Sequence, residues 1–257
     1  MKFLLTRQEN WIEIMTDKKI VVVSGGTKGL GFEVIKQLLD NKYSVVCIGR
    51  TKPNNVSGLE VKFPNTFFYE AFDFIETDKI KDLAKVISKK YGRVYGLVNN
   101  AAVGHDGVLA TMHESDISQL IKVNVEAPIL LTKYLVRGML IQQKGRVINI
   151  SSIIATTGFN GLAVYGATKA ALEGFTKSLS REIGKANITV NSIAPGYMET
   201  DMTAGLQGEK LASIKRRSPL GKLANVSDVA NGVIFLMDES SNSITGTTLT
   251  IDAGSTA

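Results

Sequence analysis

The chain has 257 residues, 44% hydrophobic and 21% charged, a make-up that fits a globular domain and excludes a disordered or fibrous chain. Its formal charge is +6, but no long basic block or recognition motif accompanies that charge, so nucleic acid is not an expected partner. Cys47 is the only cysteine and His105 and His113 the only histidines, which excludes an intrachain disulfide, leaves too few ligands for a cysteine or histidine metal centre, and fits the reducing cytoplasm.

No apolar run reaches the length of a membrane span, and the short apolar start is followed at once by Arg7, Glu9 and Glu13, unlike a signal peptide. Residues 1–17 read as an extension ahead of the fold. Residues 18–257 read as one domain, because no linker-like shift, repeat or low-complexity segment interrupts them. The β-branched run 19–24 predicts a strand. It ends in Gly25-Gly26-Thr27-Lys28-Gly29-Leu30-Gly31, and Phe32, Val34, Ile35, Leu38 and Leu39 then recur at helical spacing. Strand, glycine turn and helix form the context in which free N–H groups at a helix start receive a dinucleotide pyrophosphate. A second strand, 43–48, leads to Arg50. An acid at this place would bind the ribose 2′-hydroxyl of NAD, whereas Arg50, with Lys28 as a second cation, predicts NADP(H).

Residues 53–65 read as a polar loop. A third strand, 66–71, ends at Asp73 and Phe74, placed to cap the adenine side of the nucleotide. A helix over 77–91 and a fourth strand over 93–98 follow, the latter stopped by Asn99-Asn100-Ala101-Ala102. This alternation of apolar strands and helices argues a parallel doubly wound sheet. A helix is predicted over 116–138 with Asn124 among apolar neighbours, mildly unfavourable there. Strand 146–150 precedes Ser151-Ser152 and a helix running to about 184. Strand 188–193 leads into Ala194-Pro195-Gly196, and 197–224 reads as a mixed loop with a basic stretch, Lys215-Arg216-Arg217. A helix over 226–238 and a strand over 247–251 close the chain.

Tyr165 and Lys169, four apart, share one face of a helix, and Ser152 lies at the end of the preceding strand. A phenol, an ammonium and a hydroxyl suit proton transfer to or from a carbonyl or alcohol oxygen. A free tyrosine titrates near 10, and bringing it to about 7 requires roughly 4 kcal/mol in favour of the phenolate. One positive charge about 4 Å away, at an effective dielectric of about 20, supplies roughly that much.

Ser24-Gly25-x-x-x-Gly29-x-Gly31, Asn99-Asn100-Ala101, Asn124, Ser152, Tyr165-x-x-x-Lys169 and Pro195-Gly196 occur in one order over residues 18–255. On these motifs the chain resembles the short-chain dehydrogenase/reductases, and within them most the 3-oxoacyl-[acyl-carrier-protein] reductase group. The resemblance implies a single-domain α/β Rossmann fold: seven parallel strands in the order 3-2-1-4-5-6-7 with helices on both faces. It implies Tyr165 as general acid/base, Ser152 on the substrate oxygen, and Lys169 on the nicotinamide ribose and lowering the tyrosine pKa. Asn124 would support a relay water. Cofactor contacts are implied for residues 25–31 (Gly25, Gly26, Thr27, Lys28, Gly29, Leu30, Gly31), Arg50, Asp73, Phe74, Asn100, Ala101, Tyr165, Lys169, Pro195, Gly196, Met198 and Thr200. It further implies NADPH-dependent reduction of a 3-oxoacyl thioester on an acyl carrier protein, the alternatives being a specialised ketone, acyl-CoA, polyketide or sugar substrate, or non-catalytic NADP binding. A homotetramer is also implied, with Leu131, Leu135, Leu172, Phe175 and Leu179 as apolar positions that fit burial against a partner or in a thick protomer core. The chain departs from the family pattern at Ala102, usually glycine. It departs also at Gln143-Lys144 and Lys185-Ala186, where carrier-protein reductases typically present arginines beside the active-site mouth.

Overall fold

Runs rich in valine and isoleucine alternate along the chain with helices that carry one apolar stripe, and each stripe must be buried against something flat. A computed structural model describes residues 19–198 and 208–257. The predicted extension at 1–17 and the predicted cofactor contact Thr200 lie outside these residues. Seven strands form one parallel sheet in the order β3-β2-β1-β4-β5-β6-β7, as expected. They are β1 (Ile20–Ser24), β2 (Ser44–Gly49), β3 (Phe67–Ala71), β4 (Val94–Asn99), β5 (Gly145–Ile150), β6 (Ile188–Pro195) and β7 (Thr248–Ile251). β1 pairs with both β2 and β4, so strand order reverses beside it, and ligands of such sheets bind at the carboxyl ends flanking that reversal.

Side chains alternate across the sheet. Val21, Val23, Val45 and Cys47 meet α1 (Gly29–Asp40), α2 (Asn54–Lys62) and α9 (Val226–Met237) in one core layer. Val22, Val46, Leu97 and Val147 meet α3 (Ile80–Tyr91), α5 (Ala127–Gln142) and α7 (Ala163–Ile183) in the other. The remaining helices are α4 (Glu114–Ile121), the short α6 (Ile154–Thr157) and α8 (Gly208–Arg217).

Three expectations are corrected. Residues 53–65 are largely helical: α2 starts after Pro53, which has no N–H to lose, and buries Val56 and Leu59 one turn apart. Part of the stretch 197–224, read as a mixed loop, is the helix α8; Ile214 is buried, and Lys215, Arg216 and Arg217 lie in the last turn, where cations interact favourably with the helix dipole. The helix predicted over 116–138 is two helices, α4 and α5, joined by a π-helical turn at Lys122–Glu126 that contains Asn124.

Of the apolar positions that fit either a partner or a thick protomer core, four lie in the core. Leu131, Leu135, Leu172 and Leu179 are buried within the protomer itself. The α5 and α7 faces are wider than one apolar stripe because each packs on the sheet and on neighbouring helices. Leu135→Ala should therefore destabilise the protein by about 2–5 kcal/mol, as expected for a buried leucine truncated in a packed core. Urea unfolding at neutral pH measures it.

Candidate active site

At the carboxyl edge of β1 the chain turns through Gly25 at φ +67° and enters α1 after Gly29 at φ +53°. The turn lies close against the end of β4. A side chain at Gly25 would meet the Ala101 backbone at 2.8 Å, and one at Gly31 would meet the Gly25 carbonyl at 2.3 Å. A side chain at Gly26 would meet Ile35 and Cys47. Asn100 holds the turn in place, its Nδ2 donating to the carbonyls of Ser24 at 3.1 Å and Gly25 at 2.9 Å. The Ser24 hydroxyl in turn accepts from the N–H groups of Asn100 and Ala101, both at 3.0 Å. The first bond of α1 runs from Phe32 N to Lys28 O, so the N–H groups of Gly29, Leu30 and Gly31 lie outside the helix's own ladder. Such a start suits an anion.

Lys28 and Arg50 are exposed at the ends of the adjacent strands β1 and β2. Asn55, at the start of α2, donates to the Thr27 carbonyl at 3.4 Å and brings that helix to the same edge. Lys52 pairs instead with Glu60. Asp73 accepts from Ile75 N at 3.1 Å in a local turn. Phe74 is buried and packs edge-on to Phe72. With Ser24, Asn99, Ala101 and Val123 it lines a gap too tight for a water molecule. The donor set therefore fits a phosphorylated dinucleotide in its N–H groups and cations, whereas the expected contact of Phe74 with the cofactor is corrected, its ring lying in the core.

Across the reversal, β5 ends at Ile150 and α7 crosses the same edge. Lys169 is buried; its Nζ donates to the Ile150 carbonyl at 2.8 Å and lies 5.7 Å from the Tyr165 ring centroid. Burial lowers the lysine pKa to about 8. Burial also raises the Tyr165 phenol to about 12; a hydrogen bond with Ser152 pulls it down, while Tyr197 and Asp106 push it up. The expected lowering of the phenol by Lys169 is therefore not present in this state. The ammonium is engaged with a carbonyl, and desolvation of the phenolate prevails over a charge held at that remove.

Asn124 sits in the π turn with its side-chain amide satisfied by the protein. Its Oδ1 accepts from Val103 N and its Nδ2 donates to Val103 O, both at 2.9 Å, and to Thr168 Oγ1 at 3.2 Å. Both amide protons thus go to protein groups, tying the segment after β4 to the Tyr165 helix. Pro195 ends β6 and accepts from Ile153 N at 3.1 Å, and Gly196 donates to Ile251 O at 2.9 Å. Met198 bridges to Ala224.

Some residues at this edge escaped the sequence reading. Tyr197 packs edge-on to Phe159, and Gly107 N donates to Gly161 O at 2.9 Å, which brings Asp106 to the phenol's side. A buried polar chain supports the floor: Asn99 Nδ2 bonds Thr132 at 3.0 Å and Asn149 at 2.8 Å, Asn149 bonds Thr176 at 2.8 Å, and Thr176 bonds Ser192 at 2.7 Å. The asparagines at strand positions within apolar runs were its only signal. Conversely, Lys144 and Lys185 precede β5 and β6 and so lie at the amino edge. Lys144 there pairs with Glu239 at 2.6 Å, a strand length of roughly 20 Å from Ser152. The expectation that these positions lie at the protomer's own site mouth is corrected.

Comparison with known proteins gives concordant results. A family model described as enoyl-(acyl carrier protein) reductase matches residues 25–256. Carbonyl reductase family member 4 of Xenopus tropicalis is 37% identical over 92% of this chain and 97% of its own length. The 3-oxoacyl-[acyl-carrier-protein] reductase FabG of Vibrio cholerae is 33% identical over 92% and 96%. Among solved structures, ElxO with NADP bound superposes with a TM-score of 0.84 at 32% identity, covering 93% of this chain and 98% of that one.

The buried ammonium has a thermodynamic signature. Lys169 titrates near 8 when folded against its ordinary 10.5, so between those values the unfolded chain binds more protons and stability rises with pH. Below about 8 the buried charge is a full cost. Lys169→Met should be stabilised most, relative to the wild type, below pH 8, and the gap should narrow toward pH 10.5. Urea midpoints of both proteins across that range measure it.

Proposed function

Because the chain belongs to the short-chain dehydrogenase/reductase family, we propose that it uses NADPH to reduce a ketone to a secondary alcohol, with a 3-oxoacyl thioester as the substrate class. The observation that carries this reading is the set Ser152, Tyr165 and Lys169, at the carboxyl edge of the sheet that also carries the glycine turn. The Gly25–Gly31 turn with Arg50 and Lys28 would hold NADPH, whose chemistry when bound would be that of a hydride donor.

The protein's own part is proton delivery and orientation. Tyr165 gives its proton to the carbonyl oxygen, becomes a phenolate, and is reprotonated from solvent. A phenol held near 12 by burial is fully protonated at neutral pH, the state a donor needs. Ser152 hydrogen-bonds the same oxygen and orients it. Lys169 offsets the phenolate charge as it forms. Asn124 keeps α7 registered on the segment after β4.

The 3-oxoacyl thioester is supported by relatives named for that activity. A simpler ketone is the second reading. It is favoured by Phe159, Val108 and Leu109, exposed in the segments that meet at the phenol, with Asp106 nearby and Lys144 and Lys185 at the far edge. The cytoplasmic homotetramer belongs to the same proposal; Ile121, Ile141 and Phe235 are exposed apolar positions open to self-association.

Tyr165→Phe should lower kcat for acetoacetyl-CoA reduction by at least about 10²-fold while NADPH binding, followed by its fluorescence, stays unchanged. Persistent turnover would remove Tyr165 as the donor. The wild type should favour NADPH over NADH in kcat/KM, and Arg50→Asp should cut that preference by about 10- to 100-fold, the value of one charge-assisted phosphate contact. Initial rates with acyl-carrier thioesters, acyl-CoA thioesters and simple ketones separate the two substrate readings.

A further inference from the structure

Two consecutive residues at the end of β5, Ile150 and Ser151, each grip α7, and Ser152 follows them. The Ile150 carbonyl accepts from Lys169 Nζ at 2.8 Å. The Ser151 hydroxyl lies 2.8 Å from Glu173 Oε1 and 3.2 Å from the Lys169 carbonyl. The Ser152 hydroxyl accepts from Ile154 N at 3.3 Å and acts on the Tyr165 phenol, pulling its pKa down. Tyr165, Lys169 and Glu173 are successive positions one turn apart on a single helical face. Ser151 is itself buried, and its N–H donates to Ile193 O on β6 at 2.7 Å.

Resting on the functional reading above, we propose that Ser151 and Glu173 are positioning residues for the reaction: together they form a latch that fixes α7 against β5 and so sets the phenol and ammonium relative to Ser152. Neither needs to touch substrate. Ser151 is bonded in sequence to Ser152 and in space to the backbone of Lys169, so it constrains both neighbours of the Tyr165 phenol. The segment 151–162 between β5 and α7 is too long to fix the helix's slide along its axis by itself. The Ile150–Lys169 contact runs through a long, flexible side chain. The Ser151 hydroxyl is a short arm ending on a carboxylate, and hydrogen bonds to an ionised acceptor are the shorter and stronger kind. The latch thus adds a second grip beside that of Lys169 on Ile150. The assignment also accounts for an acid on this face one turn beyond the lysine, which the proton-transfer set does not otherwise use.

The test compares Ser151→Ala, Glu173→Ala, their combination and Glu173→Gln, using NADPH and acetoacetyl-CoA. Alanine is the best helix former, so Glu173→Ala leaves α7 intact. Ser151→Ala and Glu173→Ala should each lower kcat by about tenfold, with KM for either substrate changed less than about threefold, since misplacing the reacting groups by under about 1 Å costs rate rather than binding. The double variant should be no worse than the worse single one, because both remove one contact. Glu173→Gln keeps an acceptor and should recover most of the rate. The latch is overturned if kcat stays within about twofold of wild type in both alanine variants, if their losses multiply, or if Glu173→Gln is as impaired as Glu173→Ala. Should Ser151→Ala fail to fold, Glu173→Ala, at a partly exposed site, decides the matter with Glu173→Gln as its control. In every case Tyr165→Phe is assayed alongside. Dead Tyr165→Phe with intact latch variants removes the latch alone, whereas an active Tyr165→Phe removes the functional reading and the latch with it.

Discussion

The contact on which the site depends is the one between the Lys169 ammonium and the Ile150 carbonyl, 2.8 Å apart in the protein interior. Burying a charge is costly, and a carbonyl offsets only part of that cost, which is why the lysine titrates near 8. The fold tolerates the penalty because the contact joins the end of β5 to the middle of α7 at the sheet's carboxyl edge. Strain of this kind is common where a group must be ready to answer a charge that forms only during reaction.

The same edge explains why the cofactor turn and the proton-transfer set lie beside one another. Strand order reverses at β1, so β4 and β5 continue on the side away from β2, and the glycine turn and the end of β5 flank the same carboxyl edge. Asn100 and Ser24 clamp the turn to the end of β4, and the polar chain from Asn99 through Asn149 and Thr176 to Ser192 links β4, β5 and β6 beneath the site. Buried polar groups linked in this way rigidify the strands that carry them. The glycines serve this packing directly: at Gly25, Gly26 and Gly31 the space a side chain would occupy is already filled by the protein's own atoms.

The phenol is the clearest case of environment overriding local reasoning. Two residues four apart on a helix promise a charge next to a phenol, but side-chain direction and desolvation decide what that charge does. Here the ammonium turns to a carbonyl, and the phenol is held protonated.

Short-range patterning in the sequence determined the seven strands, their parallel alternation with helices, the glycine turn, and Tyr165 and Lys169 one helical turn apart. The strand order and the roles expected of Ser152, Tyr165 and Lys169 came from the family resemblance. Tertiary structure decided the rest. α2 and α8 form because Val56, Leu59 and Ile214 find a core to enter, which polar neighbours concealed. Asn124 is stable inside a helical stretch because a π turn lets it reach Val103 and Thr168, partners 21 and 44 residues away. Leu131 and Leu172 became core rather than surface, and Lys144 fell at the opposite edge from the site, because burial and edge are properties of packed layers. The Ser151–Glu173 contact spans 22 residues between a strand end and a helix face, and only the packing of α7 on β5 brings those groups within bonding distance.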